Sequence, residues 1–190
     1  MDYAAYNVLL ATAFSYKKEY IKAAYHFFVG LKTEAIGLNM PYTDFIKYII
    51  SKIDINNVEE QKCSGIGFSS GNYMGNNIQN NKNSYLNSQL ASKIIPQMTG
   101  KNGEVILAKQ GRIVFYGFLK RIGSKRNTKK DLAIDLYETF IIDKNYNLKR
   151  IVFYFNNYIT MHDHKPQIKI ADGFKINEDS LIINDFDFIQ

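Results

Sequence analysis

The sequence predicts an α+β domain, in which helices come first and one antiparallel sheet follows. Residues 2–31 space their apolar side chains like one face of a helix. Residues 103–158 hold four β-rich runs joined by turn-rich breaks, which is typical of an antiparallel meander. Because helices and strands do not alternate along the chain, a doubly wound fold is not favoured.

Composition and charge limit the class of protein. The chain has 190 residues, of which 46% are hydrophobic and 22% charged, and this is ordinary for a globular domain. The net charge of +6 permits anionic partners without requiring them. Cys63 is the single cysteine, so an intrachain disulfide is impossible, and we expect a cytoplasmic protein. Since no run of about 18 apolar residues is present, we expect no membrane span. The N-terminus lacks a basic region and the apolar run Val8–Phe14 is short, so we also expect no signal peptide.

The first helical region is expected to break into two helices at Ser15 or at Lys17–Lys18. Its apolar residues recur at the spacing of one helical face. They are Tyr6, Leu9, Leu10, Ala13, Phe14, Tyr20, Ile21, Ala24, Phe27, Phe28 and Leu31. Such a face is typical of helices that pack on a core.

Two further helices are predicted before the sheet. One begins at the capping residue Thr43 and ends near Ile53, with a buried stripe of isoleucine and phenylalanine side chains. The other covers Ser84–Met98 and stops near Pro96, which cannot continue a helix.

The β-rich region is predicted to form two hairpins. Glu104–Lys109 pairs with Arg112–Ile122 across a Gln-Gly turn. Asp131–Ile142 pairs with Leu148–Tyr158 across the turn Asp143–Asn147. Together they supply the strands of the sheet.

Three segments carry a resemblance to a known family. Tyr20–Leu38 looks like an opening helix with a short second helix, Ser84–Met98 stands where a third helix would follow, and Tyr137–Asn156 looks like a closing hairpin. In this order they resemble the nuclear transport factor 2-like superfamily, which includes the SnoaL-like cyclases. The resemblance implies N-terminal helices packed on a curved antiparallel sheet, in a cone that encloses a pocket.

The resemblance divides the chain into three parts. Residues 1–16 are an extra N-terminal helical segment, 17–158 are the nuclear transport factor 2-like domain, and 159–190 are a C-terminal extension. The extension is predicted to form a small hairpin from Gln167–Ala171 and Ser180–Ile183, with an Asp-Gly turn signal just after the first run. We also predict a homodimer.

Asp135 and Tyr137 are the candidate catalytic pair. They lie two residues apart on one predicted strand and therefore share a face. On a pocket-lining face, Asp135 could serve as a general base and Tyr137 as a hydrogen-bond donor to an enolate. The resemblance implies isomerase, dehydratase or cyclase chemistry of this kind. The opposite face, from Leu132 to Ile142, is more uniformly apolar, which favours a solvent-facing position for Asp135 and Tyr137.

Four other residues are candidates for ligand binding. Tyr116 and Tyr154 each combine an apolar ring with a polar hydroxyl, and Asn156 and His26 add polar groups. Simple packing explains the tyrosines as well, and a core histidine with a local hydrogen bond explains His26 better than catalysis does. The family often has Asp where Asn156 stands, and neutral Asn cannot act as a base.

Three short motifs point to other chemistry. The triplet His162-Asp163-His164 could chelate a metal, but no third ligand is near, so no metal or cofactor is predicted. The pattern around Ser69 matches Gly-x-Ser-x-Gly, yet no helix opening follows, which disfavours a serine hydrolase. The loop Lys120–Lys130 carries six basic residues and could grip an anion or nucleic acid; with no interleaved aromatics, nucleic acid is disfavoured.

The sequence thus leaves two main functions open. One is a domain that binds a small apolar molecule, with possible acid–base chemistry at Asp135 and Tyr137. The other is a non-enzymatic interaction module that uses an open sheet face to dimerise or to bind a partner protein. Whether the chain is an enzyme stays open at this point.

Overall fold

The computed structural model describes residues 3–31, 40–61, 73–74, 84–86, 90–110, 115–127, 132–155, 158–162, 165–167 and 170–176. The helices are α1 Tyr3–Tyr16, α2 Tyr20–Gly30, α3 Met40–Ser51 and α4 Leu90–Ile94. The strands are β1 Tyr73–Met74, β2 Ser84–Leu86, β3 Thr99–Gly100, β4 Val105–Ile106, β5 Ala108–Gln110, β6 Phe115–Gly117, β7 Leu119–Asn127, β8 Leu132–Ile142, β9 Leu148–Phe155, β10 Tyr158–His162, β11 Lys165–Gln167 and β12 Phe174–Lys175. The α+β class is therefore confirmed, with helices at the N-terminus and mainly antiparallel sheet after them.

Helices α1 and α2 form a hairpin with a tight turn at the predicted break. Lys18 adopts a left-handed backbone conformation with φ of 61°, and the N–H of Glu19 donates to the carbonyl of Phe14 at 2.9 Å. The two helices approach closely through small residues. A Cβ atom built on Gly30 would lie 3.3 Å from the Ala4 carbonyl oxygen, so a larger residue there would push the helices apart.

Helix α3 packs on the same side of the sheet as α2. It begins at Met40, three residues before the predicted cap Thr43. Ile46, Ile49 and Ile53 are buried, as the predicted stripe requires.

The hairpin of β8 and β9 is the centre of the main sheet. Eight residue pairs join the two strands, from Asp135 opposite Phe155 to Ile142 opposite Leu148. Strand β9 occupies one edge of β8, and strands β7 and β4 pair with successive parts of the opposite edge. Strand β1 pairs with β9 in parallel. The meander β7–β8–β9 and the turn after Ile142 agree with the prediction.

The predicted basic loop is a strand for most of its length, so this prediction was wrong. Residues Leu119–Asn127 pair with β8, with a bulge between Arg121 and Gly123 that leaves Ile122 exposed. The many charged residues of this segment do not indicate a strand by themselves. The segment is a strand because it pairs with β8, which outweighs its low local propensity for β-structure. Thr128–Lys130 lie outside the described residues.

The predicted helix over Ser84–Met98 was also wrong at its start. Ser84–Leu86 form β2, which pairs with β10, so a distant strand overrides the local helical spacing. Among the described residues of this range, α-helix covers Leu90–Ile94, and a 3-10 turn follows at Ile95–Gln97, with Pro96 inside it.

Both faces of β8 are buried, each by a different hydrophobic cluster. The helix-side cluster joins the N-terminal helices to the sheet and contains Ala11, Ala23, Ala24, Phe27, Phe28, Val29, Ile46, Ile49, Ile53, Val105, Leu107, Phe140 and Ile142. The far-side cluster contains Ala91, Ile94, Ile95, Met98, Ile106, Ala108, Tyr137, Ile141, Ile151, Phe153, Phe155, Ala171 and Phe174. The face that carries Tyr137 is therefore not the solvent face that the alternation favoured.

The C-terminal part contains a hairpin that was not predicted. It joins β10 to β11, with Thr160 opposite Gln167. The predicted Asp-Gly signal does form a turn, since Gly173 has φ of +84° and the Phe174 N–H donates to the Ala171 carbonyl. Strand β12 then pairs with β3. Ser180–Ile183 lie outside the described residues.

Candidate functional site

The predicted pair Asp135 and Tyr137 lies on the far-side face of β8. Tyr137 is only 7% exposed and packs against Phe155 with ring centroids 6.3 Å apart, nearly perpendicular. Thr139, two residues further along, is fully buried and donates its hydroxyl hydrogen bond to the Phe118 carbonyl. The face is apolar at Tyr137 and becomes polar only towards Asp135.

Arg121 completes this cluster and was missed as a site residue. It stands directly opposite Tyr137 on β7, and its Nη2 donates to Asp135 Oδ1 at 2.7 Å. The side chain of Asp135 is 18% exposed and that of Arg121 55%. The hydrogen bond and the charge of Asp135 raise the pKa of Arg121. The predicted general base thus takes part in an ion pair with a guanidinium.

Strand pairing separates Tyr154 from this pair. Tyr154 stands opposite Leu136, and residues opposite one another share a face, so it lies on the other side of the sheet from Tyr137. Tyr116 lies in β6, opposite Lys109 of β5. Asn156 and Ser69 lie outside the described residues, as do Asp163 and His164 of the predicted chelating triplet.

His26 lies in a second, separate cluster between the helical hairpin and the β8–β9 turn. Its Nδ1 is 2.9 Å from Asn7 Oδ1 and its Nε2 is 3.0 Å from the hydroxyl of Tyr146. Phe14 stacks on the imidazole at a centroid distance of 5.4 Å, and Tyr25 meets it edge-on at 5.4 Å. The residue thus connects α1, α2 and the sheet.

The surrounding donors assign the tautomer of His26. Asn7 Nδ2 donates to the carbonyl of Tyr3 at 2.9 Å, so Asn7 Oδ1 is an acceptor and His26 Nδ1 carries the proton. Nε2 then accepts from the hydroxyl of Tyr146. Burial lowers the pKa of His26, which agrees with a neutral ring.

A polar turn holds Tyr146 in place. The carboxylate of Asp143 accepts hydrogen bonds from the N–H groups of Asn145 and Asn147, at 2.8 and 3.0 Å. Burial opposes ionisation of Asp143, but the hydrogen bonds from Asn147 and Asn145 outweigh it and lower its pKa. Tyr146 itself has φ of 64°, a conformation that non-glycine residues seldom adopt.

The helix-side face of the sheet ends in a network of charges. Arg150 on β9 forms ion pairs with Glu138 on β8 and with Glu60, which makes a parallel bridge to Arg150. The hydrogen bond to Glu138, together with both carboxylates, raises the pKa of Arg150. This part of the sheet is therefore polar rather than an open apolar surface.

Among the residues that the structure describes, most of the large apolar side chains that are exposed lie on α1. This helix has no charged residue, and its packed side consists of Ala4, Asn7 and Ala11. The other side carries what we call the outer stripe: Tyr3, Tyr6, Leu9, Ala13 and Tyr16, at steps of three or four residues. Tyr3 is 63% exposed, Tyr6 49%, Leu9 58% and Tyr16 86%.

The outer stripe contradicts part of the predicted helical face. Tyr6, Leu9 and Ala13 belong to that face and are exposed, because small residues hold α1 close to α2. Since α1 is uncharged all round, periodicity offered no polar side to set its orientation.

Comparison with known proteins finds no matching protein family, no matching curated protein and no matching solved structure. Within the described ranges, no helix is long and apolar enough to cross a membrane. Among the same residues, no group of three His, Cys, Asp or Glu side chains could hold a metal ion.

Proposed function

We propose that the protein is a non-enzymatic interaction domain, and that its binding surface is the outer stripe of α1. The observation that carries this proposal is four large side chains that are 49–86% exposed on one uncharged helix. Single exposed apolar residues are common on proteins, but a continuous row of them is typical of protein–protein contacts. Tyrosine is also enriched in such contacts, because its ring is apolar and its hydroxyl is polar.

The sheet is a less suitable surface for binding than α1. Tyr137 and Ile141 on one face of β8, and Phe140 and Ile142 on the other, are already buried within the chain. The charged side chains of β8, Asp135 and Glu138, already form ion pairs with Arg121 and Arg150. The proposal therefore keeps the interaction function that the sequence left open and moves it from the sheet to the first helix.

Photo-crosslinking tests this proposal. The photo-reactive amino acid p-benzoylphenylalanine replaces Tyr6 in the full chain, and illumination is carried out in the cells that produce it. Tyr48 on α3 is the matched control, because it is a tyrosine of nearly equal exposure, 47% against 49%. We expect adducts of discrete mass from position 6 that disappear when Leu9→Lys is added. Equal adducts from both positions, or none from position 6, would contradict the proposal.

A second candidate function is binding of a small apolar molecule at Tyr137, with Asp135 as the proton acceptor. It is supported by the grouping of Tyr137, Asp135 and Arg121 where the far-side cluster ends. Arg121 would hold an anionic group of the molecule or a developing enolate. Oδ1 of Asp135 already accepts a hydrogen bond from Arg121, however, which places this function second.

Native mass spectrometry of the purified protein tests the second candidate. We expect a bound molecule that is lost in Tyr137→Phe and in Asp135→Asn. Tyr154→Phe is the control, because this residue lies on the opposite face of the sheet. The absence of any bound molecule, or equal loss in the control, would remove this candidate.

A further inference from the structure

We propose that the partner of the outer stripe is a second copy of this chain, with the two α1 helices antiparallel across a two-fold axis between Leu9 and Leu10. This inference rests on the proposed function of the stripe and names its partner. It is carried by the order of the residues along the stripe.

The residues on and beside the stripe are partly symmetric about the midpoint of α1. Reversing the helix about its midpoint exchanges Tyr3 with Tyr16, Tyr6 with Ala13 and Leu9 with Leu10. An antiparallel two-fold contact brings the members of each such pair together, because the same surface of both copies must fit itself. A contact with an unrelated partner sets no such requirement on the sequence.

The exchanged residues also fit in size. The ring of Tyr6 would lie over the small side chain of Ala13 of the second copy, and this contact occurs twice. Leu9 and Leu10 flank the midpoint of α1; Leu9 is exposed and Leu10 is half-buried. Tyr3 and Tyr16 close the two ends. Large residues opposite small ones are what close helix packing requires.

Electrostatics agrees with this arrangement. Helix α1 contains no charged side chain, so no charge would be buried or left unpaired in the contact. The helix dipoles of two antiparallel helices oppose one another, which is the favourable orientation.

The exposed area is large enough for a specific dimer. With about 200 Å² for a whole tyrosine side chain, the exposed parts of the stripe come to about 500 Å² per copy. Two copies would bury about 1,000 Å², which is the size at which specific interfaces begin.

A lipid surface is the less favoured partner. Helices that lie on membranes have a strongly charged side opposite the apolar one. In α1 the opposite side is Ala4, Asn7 and Ala11, and it is packed against the protein. The helix therefore lacks the polar side that a lipid surface requires, and it suits a protein partner.

Disulfide cross-linking tests the geometry. In a Cys63→Ser background, the variants Tyr6→Cys and Ala13→Cys are mixed and oxidised. We expect a 6–13 cross-link between copies in the mixture, and little product from either variant alone. In the antiparallel dimer, two copies of residue 6 lie about 10 Å apart along the axis, since a helix rises about 1.5 Å per residue. Cysteines that far apart do not form a disulfide readily.

Tyr3→Cys is the control for direction. It should give no product, because its two copies would lie about 20 Å apart. A parallel pair would instead join residue 3 to residue 3, and such a product would overturn the antiparallel arrangement.

Light scattering tests the partner itself. The purified chain should have the mass of two copies, and Ala13→Arg should raise the dissociation constant at least about tenfold, because it would place an unpaired charge under Tyr6 of the second copy. The same change at an exposed control position, Tyr48→Arg, should leave the dissociation constant unchanged. Circular dichroism confirms that both variants are folded.

The outcomes separate this inference from the proposed function. A chain that is monomeric at all concentrations overturns the dimer, while adducts from position 6 to another protein would still support the interaction function. Flotation of the protein with anionic vesicles, lost in Leu9→Lys, would overturn both and identify the stripe as a lipid contact. A dimer that survives Ala13→Arg would contradict the assignment to α1.

Discussion

Helices α1 and α2 lie side by side and differ in where their large side chains point. In α2, Phe27 and Phe28 are buried against the sheet. In α1, the buried positions are occupied by Ala4, Asn7 and Ala11, while the tyrosines point outwards. Two helices of equal mean hydropathy thus have opposite roles. The core accounts for the apolar side chains of α2, whereas those of α1 need another explanation.

The largest expected effect comes from a buried side chain of α2. Phe28→Ala should lower the free energy of unfolding by about 3–5 kcal/mol, because it removes a fully buried ring and leaves a cavity. Tyr6→Ala on α1 is the matched comparison. It should change that energy by less than about 0.5 kcal/mol at concentrations where the chain is monomeric. Urea unfolding measures both, and a large loss from Tyr6→Ala would show that the outer stripe serves the fold of the single chain.

A middle effect is expected at the contact between the helical hairpin and the sheet. Tyr146→Phe removes the hydroxyl that bonds His26 Nε2 at 3.0 Å. It should cost about 1 kcal/mol of unfolding free energy, which is typical of one hydrogen bond. Tyr16→Phe, in a side chain that is 86% exposed, should cost nothing measurable at concentrations where the chain is monomeric. Equal effects in the two variants would show that the Tyr146 bond does not hold α2 to the turn.

The sequence predicted best where local chemistry decides the structure. The turn Asp143–Asn147 contains its own hydrogen-bond acceptor in Asp143, and the strands beside it were located within a few residues. The β-structure of Lys120–Asn127 depends on pairing with β8, which the local composition does not reveal. Orientation was unpredictable in α1, because an uncharged helix has no polar side.

The candidate sites show the same division. Asp135 and Tyr137 share a face because strand geometry requires it, so this part could be predicted. Their neighbour Arg121 could not, because it falls where the predicted strand Arg112–Ile122 overlaps the predicted basic loop, and the sequence does not reveal the register with β8. The partner of His26 is 120 residues away in the chain, and only the folded structure brings Tyr146 to it.

The smallest expected effect is a pH dependence that comes from His26 between the two helices and the turn. Burial lowers its pKa in the folded chain, so the unfolded chain binds the proton more readily. The stability that the neutral ring contributes is fully present at a pH above the pKa of the unfolded chain, about 6.5. It is lost as the pH falls from there through the lower pKa of the folded chain. We expect the urea midpoint to decrease over this pH range.

NMR titration measures the pKa of His26 directly. It tests whether this residue of α2 is buried, in contrast to the exposed outer stripe of α1. One of the three histidine ring signals should titrate below about 6.5, and that signal should be missing in His26→Gln. The variant should also lose part of the acid decrease in the urea midpoint, whereas His162→Gln, which leaves His26 in place, should keep that part. If His26 instead titrates at or above 6.5, its ring is not held neutral by burial. The link between Asn7 and Tyr146 would then need a charged histidine that donates from both nitrogens, which Asn7 and the hydroxyl of Tyr146 could each accept.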